Sequence, residues 1–127
     1  MCVIFHANVV KVEEMDRVCL VGFADDGFDT RNYLTLLRSF EDDEQDVRLG
    51  LNTYHVERND QVWSGYGGID AFELKPDRAK ITFNLAGAIA MGNVSEMEIT
   101  FQIDRDRFSA LKECLGKIFA GISCPFG

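Results

Sequence analysis

Polar and apolar residues alternate along most of this chain, and the period of the alternation predicts strands. Residues 95–103 alternate most cleanly, with Met97, Ile99, Phe101 and Ile103 on one side and Glu96, Glu98, Thr100 and Gln102 on the other. That is the pattern of an antiparallel strand with one face on a core and one in water. Residues 79–85 repeat it with Ile81, Phe83 and Leu85 on one face. Residues 52–58 place Tyr54 and Val56 inward and Thr53, His55 and Glu57 outward. Residues 3–12 alternate weakly and are β-branched, with a shift near Ala7-Asn8 that points to a bulge or to burial on two sides. Residues 17–24 are almost continuously apolar, as in a strand covered on both faces. Residues 33–38 suit either a short helix through Leu34, Leu36 and Leu37 or a strand with Tyr33, Thr35 and Leu37 on one face. The strand is favoured, because acids follow without a helix cap. Residues 69–74 read as a further strand.

Breaks fall between these runs. Residues 13–16 form a polar break, and Asp25-Asp26-Gly27, Asn59-Asp60 and Pro76-Asp77 have turn chemistry. Residues 63–68 (WSGYGG) read as an aromatic-glycine loop, and residues 86–92 (AGAIAMG) carry no assignable element. Only the end of the chain has a convincing helical period. Phe108, Leu111, Leu115, Ile118, Phe119 and Ile122 recur at three- and four-residue spacing after Asp104 or Asp106 as cap, with Gly121 suited to C′ and Pro125 beyond. Connections between successive strands are too short for parallel crossovers, which need about a dozen residues. The expected fold is therefore α+β and mostly β: a single antiparallel curved sheet of six or seven strands with one C-terminal α-helix packed on it, forming one domain over residues 1–127.

Charge narrows the partners. The net charge of −8 disfavours nucleic acid, where lysines and arginines must displace counterions, and disfavours an anionic membrane surface. It favours encounter with a basic protein. Five acids, Glu41, Asp42, Asp43, Glu44 and Asp46, occupy six positions. The N-terminal residues lack a basic leader region, and no apolar run reaches the roughly 20 residues of a membrane span, so a cytoplasmic setting is expected. Cys2, Cys19, Cys114 and Cys124 show no Cys-x-x-Cys spacing and are expected to be reduced.

Catalytic chemistry finds little support. A nucleophilic triad would need His6 or His55 as base, and the His55–Glu57 pair on one strand face has no placed nucleophile beside it. The acid run lacks the glycine and the closing glutamate of a calcium loop. Residues 64–68 lack the Lys-Ser/Thr ending of a phosphate loop. No catalytic residue, metal site or cofactor is assigned. What remains is a binding surface, with Trp63 and Tyr66 either capping the core or serving as exposed anchors beside the acids.

The acid run with Gln45-Asp46, then Val47, Leu49-Gly50, Asn52 and Tyr54-His55-Val56-Glu57, followed by Ser64-Gly65-Tyr66-Gly67-Gly68-Ile69, resembles the immunity proteins of bacterial polymorphic toxin systems, in the family numbered ten. The resemblance is strongest over residues 33–74. It implies a mostly β fold, no enzymatic activity, and a cytoplasmic inhibitor encoded beside its toxin. On that view the partner is a cognate toxin domain, expected to be basic, and the partner-binding residues are Glu41, Asp42, Asp43, Glu44, Asp46, His55, Glu57, Trp63 and Tyr66. Two other readings stay open. One is a small-ligand binder or enzyme with a pocket in the curved sheet near His55 and Glu57, with Tyr54 or Tyr66 nearby. The other is a subunit, such as a homodimer, that assembles through its sheet edges.

The helical stripe yields a direct expectation. Leu115 lies mid-stripe between Leu111 and Phe119, so Leu115→Ala should lower stability by about 2–5 kcal/mol, as for other buried leucines. A shift below roughly 0.5 kcal/mol in denaturant unfolding would mean that the stripe is not buried.

Overall fold

A computed structural model describes residues 1–15, 17–39, 53–122 and 126. Its elements are β1 (Cys2–Ala7), β2 (Val9–Met15), β3 (Val18–Ala24), β4 (Tyr33–Ser39), β5 (His55–Arg58), β6 (Asp60–Tyr66), β7 (Ile69–Lys75), β8 (Arg78–Phe83), α1 (Leu85–Ala90), β9 (Glu96–Phe101) and α2 (Arg105–Ile118). The strands form two sheets. One has the order β1-β9-β8-β7, the other β2-β3-β4-β5-β6. Among the described residues, no helix is long and apolar enough to cross a membrane.

The mostly β character and the C-terminal helix match the sequence expectation; the single antiparallel sheet does not. The chain passes between sheets at two corners, each joining an edge strand to an edge strand: β1 to β2 through Asn8, and β6 to β7 through Gly67-Gly68. The shift near Ala7-Asn8 is the first of these corners rather than a bulge. Phe5 and Ala7 point inward from one sheet and Val10 from the other, so the inward parity changes from odd to even as the chain turns. Asn8 fixes that turn by donating its side-chain amide to Asp25 O at 2.9 Å. The polar break at 13–16 begins inside β2, which runs on to Met15. One pairing is also parallel, β1 with β9, in register from Cys2↔Glu96 to Ala7↔Phe101. Loop length between neighbours could not exclude it, because these are the first and last strands of the chain.

Faces follow the alternation in most strands. Met97, Ile99 and Phe101 are buried, as are Ile81 and Phe83, and Tyr54 and Val56. Two faces differ from expectation. In β3, Cys19, Val21 and Phe23 are buried while Val18, Leu20, Gly22 and Ala24 are half-buried, so this strand is covered on one side only. In β4, Leu34 and Leu36 face the core, not Tyr33, Thr35 and Leu37. The core lies between the two inner faces: Phe23 stacks on Phe101 from the opposite sheet with ring centroids 5.8 Å apart.

Helix α2 closes this layer. Asp104 caps it, accepting from Arg107 N at 2.8 Å, and Leu111, Cys114, Leu115 and Ile118 are buried against β2, β3 and β4. Phe119 ends the helix and touches both sheets, lying 5.1 Å from the Tyr54 ring and 5.4 Å from that of Phe72. Arg38 on β4 donates to Ile118 O (3.0 Å) and Ala120 O (2.6 Å), putting a cation where the helix dipole is negative. Cys2, Cys19 and Cys114 are free thiols; Cys124 lies outside the described residues. Burial and the neighbouring Cys19 push the Cys114 thiol up to about 12, as for a packing residue rather than a reactive one.

The second corner explains residues 86–92. Gly67 and Gly68 adopt φ of 71° and 95°, which favour glycine. Asn84 N donates to Gly68 O at 2.9 Å, and Asn84 Oδ1 accepts from Gly87 N at 2.8 Å as the cap of α1. Gly87 then sits so close to Gly68 that a Cβ on either would collide with the other's backbone. Leu85 accordingly leaves the strand face predicted for it and starts α1, largely exposed.

Two glycine substitutions should move stability in opposite directions. Gly87→Ala should destabilise by about 1–3 kcal/mol or more, as overpacking does. Gly116→Ala should stabilise by about 0.5–1 kcal/mol, because a helical glycine is entropically costly and the added Cβ meets nothing within 4 Å. Urea unfolding of both variants checks the pair; equal midpoints would show that the Gly68–Gly87 approach is not tight.

Candidate partner-binding surface

The five acids Glu41, Asp42, Asp43, Glu44 and Asp46 lie outside the described residues. The strands they connect are described, and these fix where that connection begins and ends. β4 ends at Ser39 and β5 starts at His55, with Leu37 opposite His55. His55 in turn faces Tyr66 across β5–β6, and on the other side Leu37 faces Leu20 and Leu20 faces Glu13. One row of side chains, Glu13-Leu20-Leu37-His55-Tyr66, thus crosses the outer face of the five-stranded sheet. The His55 and Tyr66 rings meet edge-on with centroids 5.1 Å apart, and Tyr66 is 53% exposed.

The next row is Lys11-Gly22-Thr35-Glu57-Ser64. Glu57 lies two residues from His55 on the same face, yet the two form no hydrogen bond or ion pair among the described residues. Glu57 Oε2 accepts from the Tyr33 hydroxyl at 2.7 Å instead. Tyr33 is held there by Asn59, whose Oδ1 accepts Tyr33 N at 2.8 Å and whose left-handed φ of 60° makes the β5–β6 turn.

Trp63 and Tyr66 do not form one loop, because both belong to strand β6. Three residues apart on a strand, they point to opposite faces. Trp63 is 37% exposed and packs over Arg58, whose Cζ lies 4.5 Å from the ring centre. Arg58 is only 5% exposed, and its Nε donates to Met91 O at 2.9 Å. Among the described residues it has no carboxylate partner, and burial lowers its pKa. A buried cation is costly unless compensated, and here one carbonyl and one aromatic face compensate it. Arg58 escaped the sequence reading although a signal was present: it continues the inward parity of Tyr54 and Val56. Together they make Trp63 a lid on Arg58 beside Gly92, while Tyr66 with His55 is the more open aromatic.

A pocket centred on His55 and Glu57 gains no support. Tyr54 is buried in the core, its Oη accepting Ile69 N at 2.9 Å. Surface hollows lie elsewhere, one lined by Glu73, Lys75, Arg78, Lys80 and Glu98, another by Glu14, Met15, Val18 and Lys117 among others. Among the described residues, no three His, Cys, Asp or Glu side chains converge as a metal cluster.

The Tyr33–Glu57 contact has a pH consequence. Burial, followed by the Glu57 carboxylate, pushes the Tyr33 phenol from an ordinary 10.0 up to about 12. A raised folded pKa means that the folded protein holds this proton more tightly. Its stabilising contribution is complete below pH 10 and is lost as the pH rises towards about 12. Urea midpoints measured from pH 9 upward should fall across this window, and the fall should be shallower in Tyr33→Phe. Identical slopes would show that the phenol is not held by Glu57.

Comparison with curated protein sequences returns no match. The immunity protein 10 family matches residues 6–109, from the end of β1 through the first turn of helix α2. With that share of the chain covered, the protein belongs to the immunity protein 10 family.

Proposed function

We propose that this protein binds a cognate toxin domain in the cytoplasm of the producing cell and neutralises it by occlusion, without catalysis of its own. Membership of an immunity protein family is the observation that carries this reading. The contact surface is the acid run of residues 41–46 together with the end of the five-stranded sheet from which it departs. His55 and exposed Tyr66 supply the aromatic contacts there, and Trp63 contributes from the other face of β6. The partner surface is basic, such as the substrate groove of a nuclease toxin, because five clustered acids in a chain of net charge −8 complement it.

Exposed charges act mainly within about one Debye length, roughly 8 Å at physiological salt, so the acids should govern association more than dissociation. Replacing Asp42 and Asp43 by Asn and Glu44 by Gln should slow association with the toxin domain and flatten its salt dependence. Folding stability should shift by no more than about 0.5 kcal/mol. Stopped-flow association at several salt concentrations measures this. A wild-type rate with a wild-type salt slope would remove the acids from the contact surface and leave it to His55, Tyr66 and Trp63.

A further inference from the structure

Strand β6 is the edge of the five-stranded sheet, and among the described residues no strand pairs with its second side. Helix α1 packs against it, and its ladder with β5 shifts register beyond Glu57, leaving residues 64–66 as its regular stretch. Gly67 N donates to Tyr54 O at 2.9 Å, which makes 54–67 a hydrogen-bonded pair and, two residues on, 56–65 the next. The N–H and C=O groups of Ser64 and Tyr66 therefore point away from β5, and among the described residues no backbone group pairs with them. Edges of natural sheets are usually blunted by charge, proline or cover. β2 carries Lys11, Glu13 and Glu14, and its Val10 O accepts from Arg107. β7 carries Asp70, Glu73 and Lys75 and is bridged at Phe72 by Phe126. By contrast, β6 reads DQVWSGY, with its one charge at the start and exposed Val62 (74%), Trp63 and Tyr66 along its length. β1 is also uncovered by charge, but it lies at the far side of its own sheet from β7 and hence from the β6–β7 corner.

We infer that β6 receives an extended segment of the toxin as a sixth strand, and that this segment is basic; the inference rests on the immunity reading above. Main-chain bonds to Ser64 and Tyr66 supply affinity, while side chains on one face of the added strand pack on Tyr66. Charge selects this occupant over a second copy of the chain. β6 and α1 hold no lysine or arginine, Asp60 is exposed at the head of the strand, and a second copy would bring −8 against −8. A lysine- or arginine-bearing strand meets complementary charge instead.

The test uses the full chain and the toxin domain encoded by the adjacent gene. Amide hydrogen exchange should slow at Ser64 and Tyr66 on complex formation. Ser64→Pro removes an outward N–H, which edge strands tolerate, and should weaken binding by about 10- to 100-fold through the lost bond and the blocked approach. Should Ser64→Pro fail to fold, exchange in the wild-type complex decides alone. Tight binding with unprotected Ser64 and Tyr66 amides would overturn the added strand while leaving the immunity reading intact. No binding to the toxin domain would overturn both. Protection of the same amides in the free protein, growing with its concentration, would identify a second copy as occupant and overturn the basic partner strand.

Discussion

The contact between Gly68 and Gly87 is the constraint from which much of this structure follows. Two backbones meet there with no room for a Cβ on either side. The approach turns the chain out of the five-stranded sheet at Tyr66 and into the four-stranded sheet at Ile69, and it seats α1 on the turn through Asn84. The same corner lies at the end of β6, the edge strand of the five-stranded sheet.

Closure at the other end depends on helix α2. Its apolar stripe fills the space that two sheets joined at corners leave open, and Phe119 contacts aromatic rings of both. Arg38 on β4 ties the helix C-terminus to the five-stranded sheet, and Arg107 ties its N-terminal turn to β2. The helix thus braces the inner face of the sheet whose outer face and edge carry the proposed contacts. A rigid backing suits the proposed inhibition by occlusion, since little ordering of the scaffold is then required on binding.

Polar and aromatic side chains on the two faces of the five-stranded sheet are arranged in pairs rather than converging on a point. Tyr33 engages Glu57, His55 engages Tyr66, and Trp63 covers Arg58. A surface of this kind presents shape, aromatic area and charge, which is the chemistry of recognition.

The sequence by itself determined most of the strands, their inward faces at Tyr54, Val56, Ile81, Phe83, Met97, Ile99 and Phe101, and the C-terminal helix, with Asp104 as one of two candidate caps. These are set by local alternation, helical period and capping, which operate over a few residues. The quoted motif around residues 33–74 also pointed to the family that matches residues 6–109. Strand partners were not legible, because alternation states which side of a strand is buried and not what lies beside it. Only the tertiary structure decided that β1 runs parallel to β9, that Asn8 and Gly67-Gly68 are corners between two sheets, and that residues 85–90 form a helix. It also separated Trp63 from Tyr66, because a segment read as a loop became a strand once Asn59 paired it with β5. The physical reason is common to all of these: they depend on contacts between residues far apart in the chain, where closing the loop and excluding a side chain matter more than local preference.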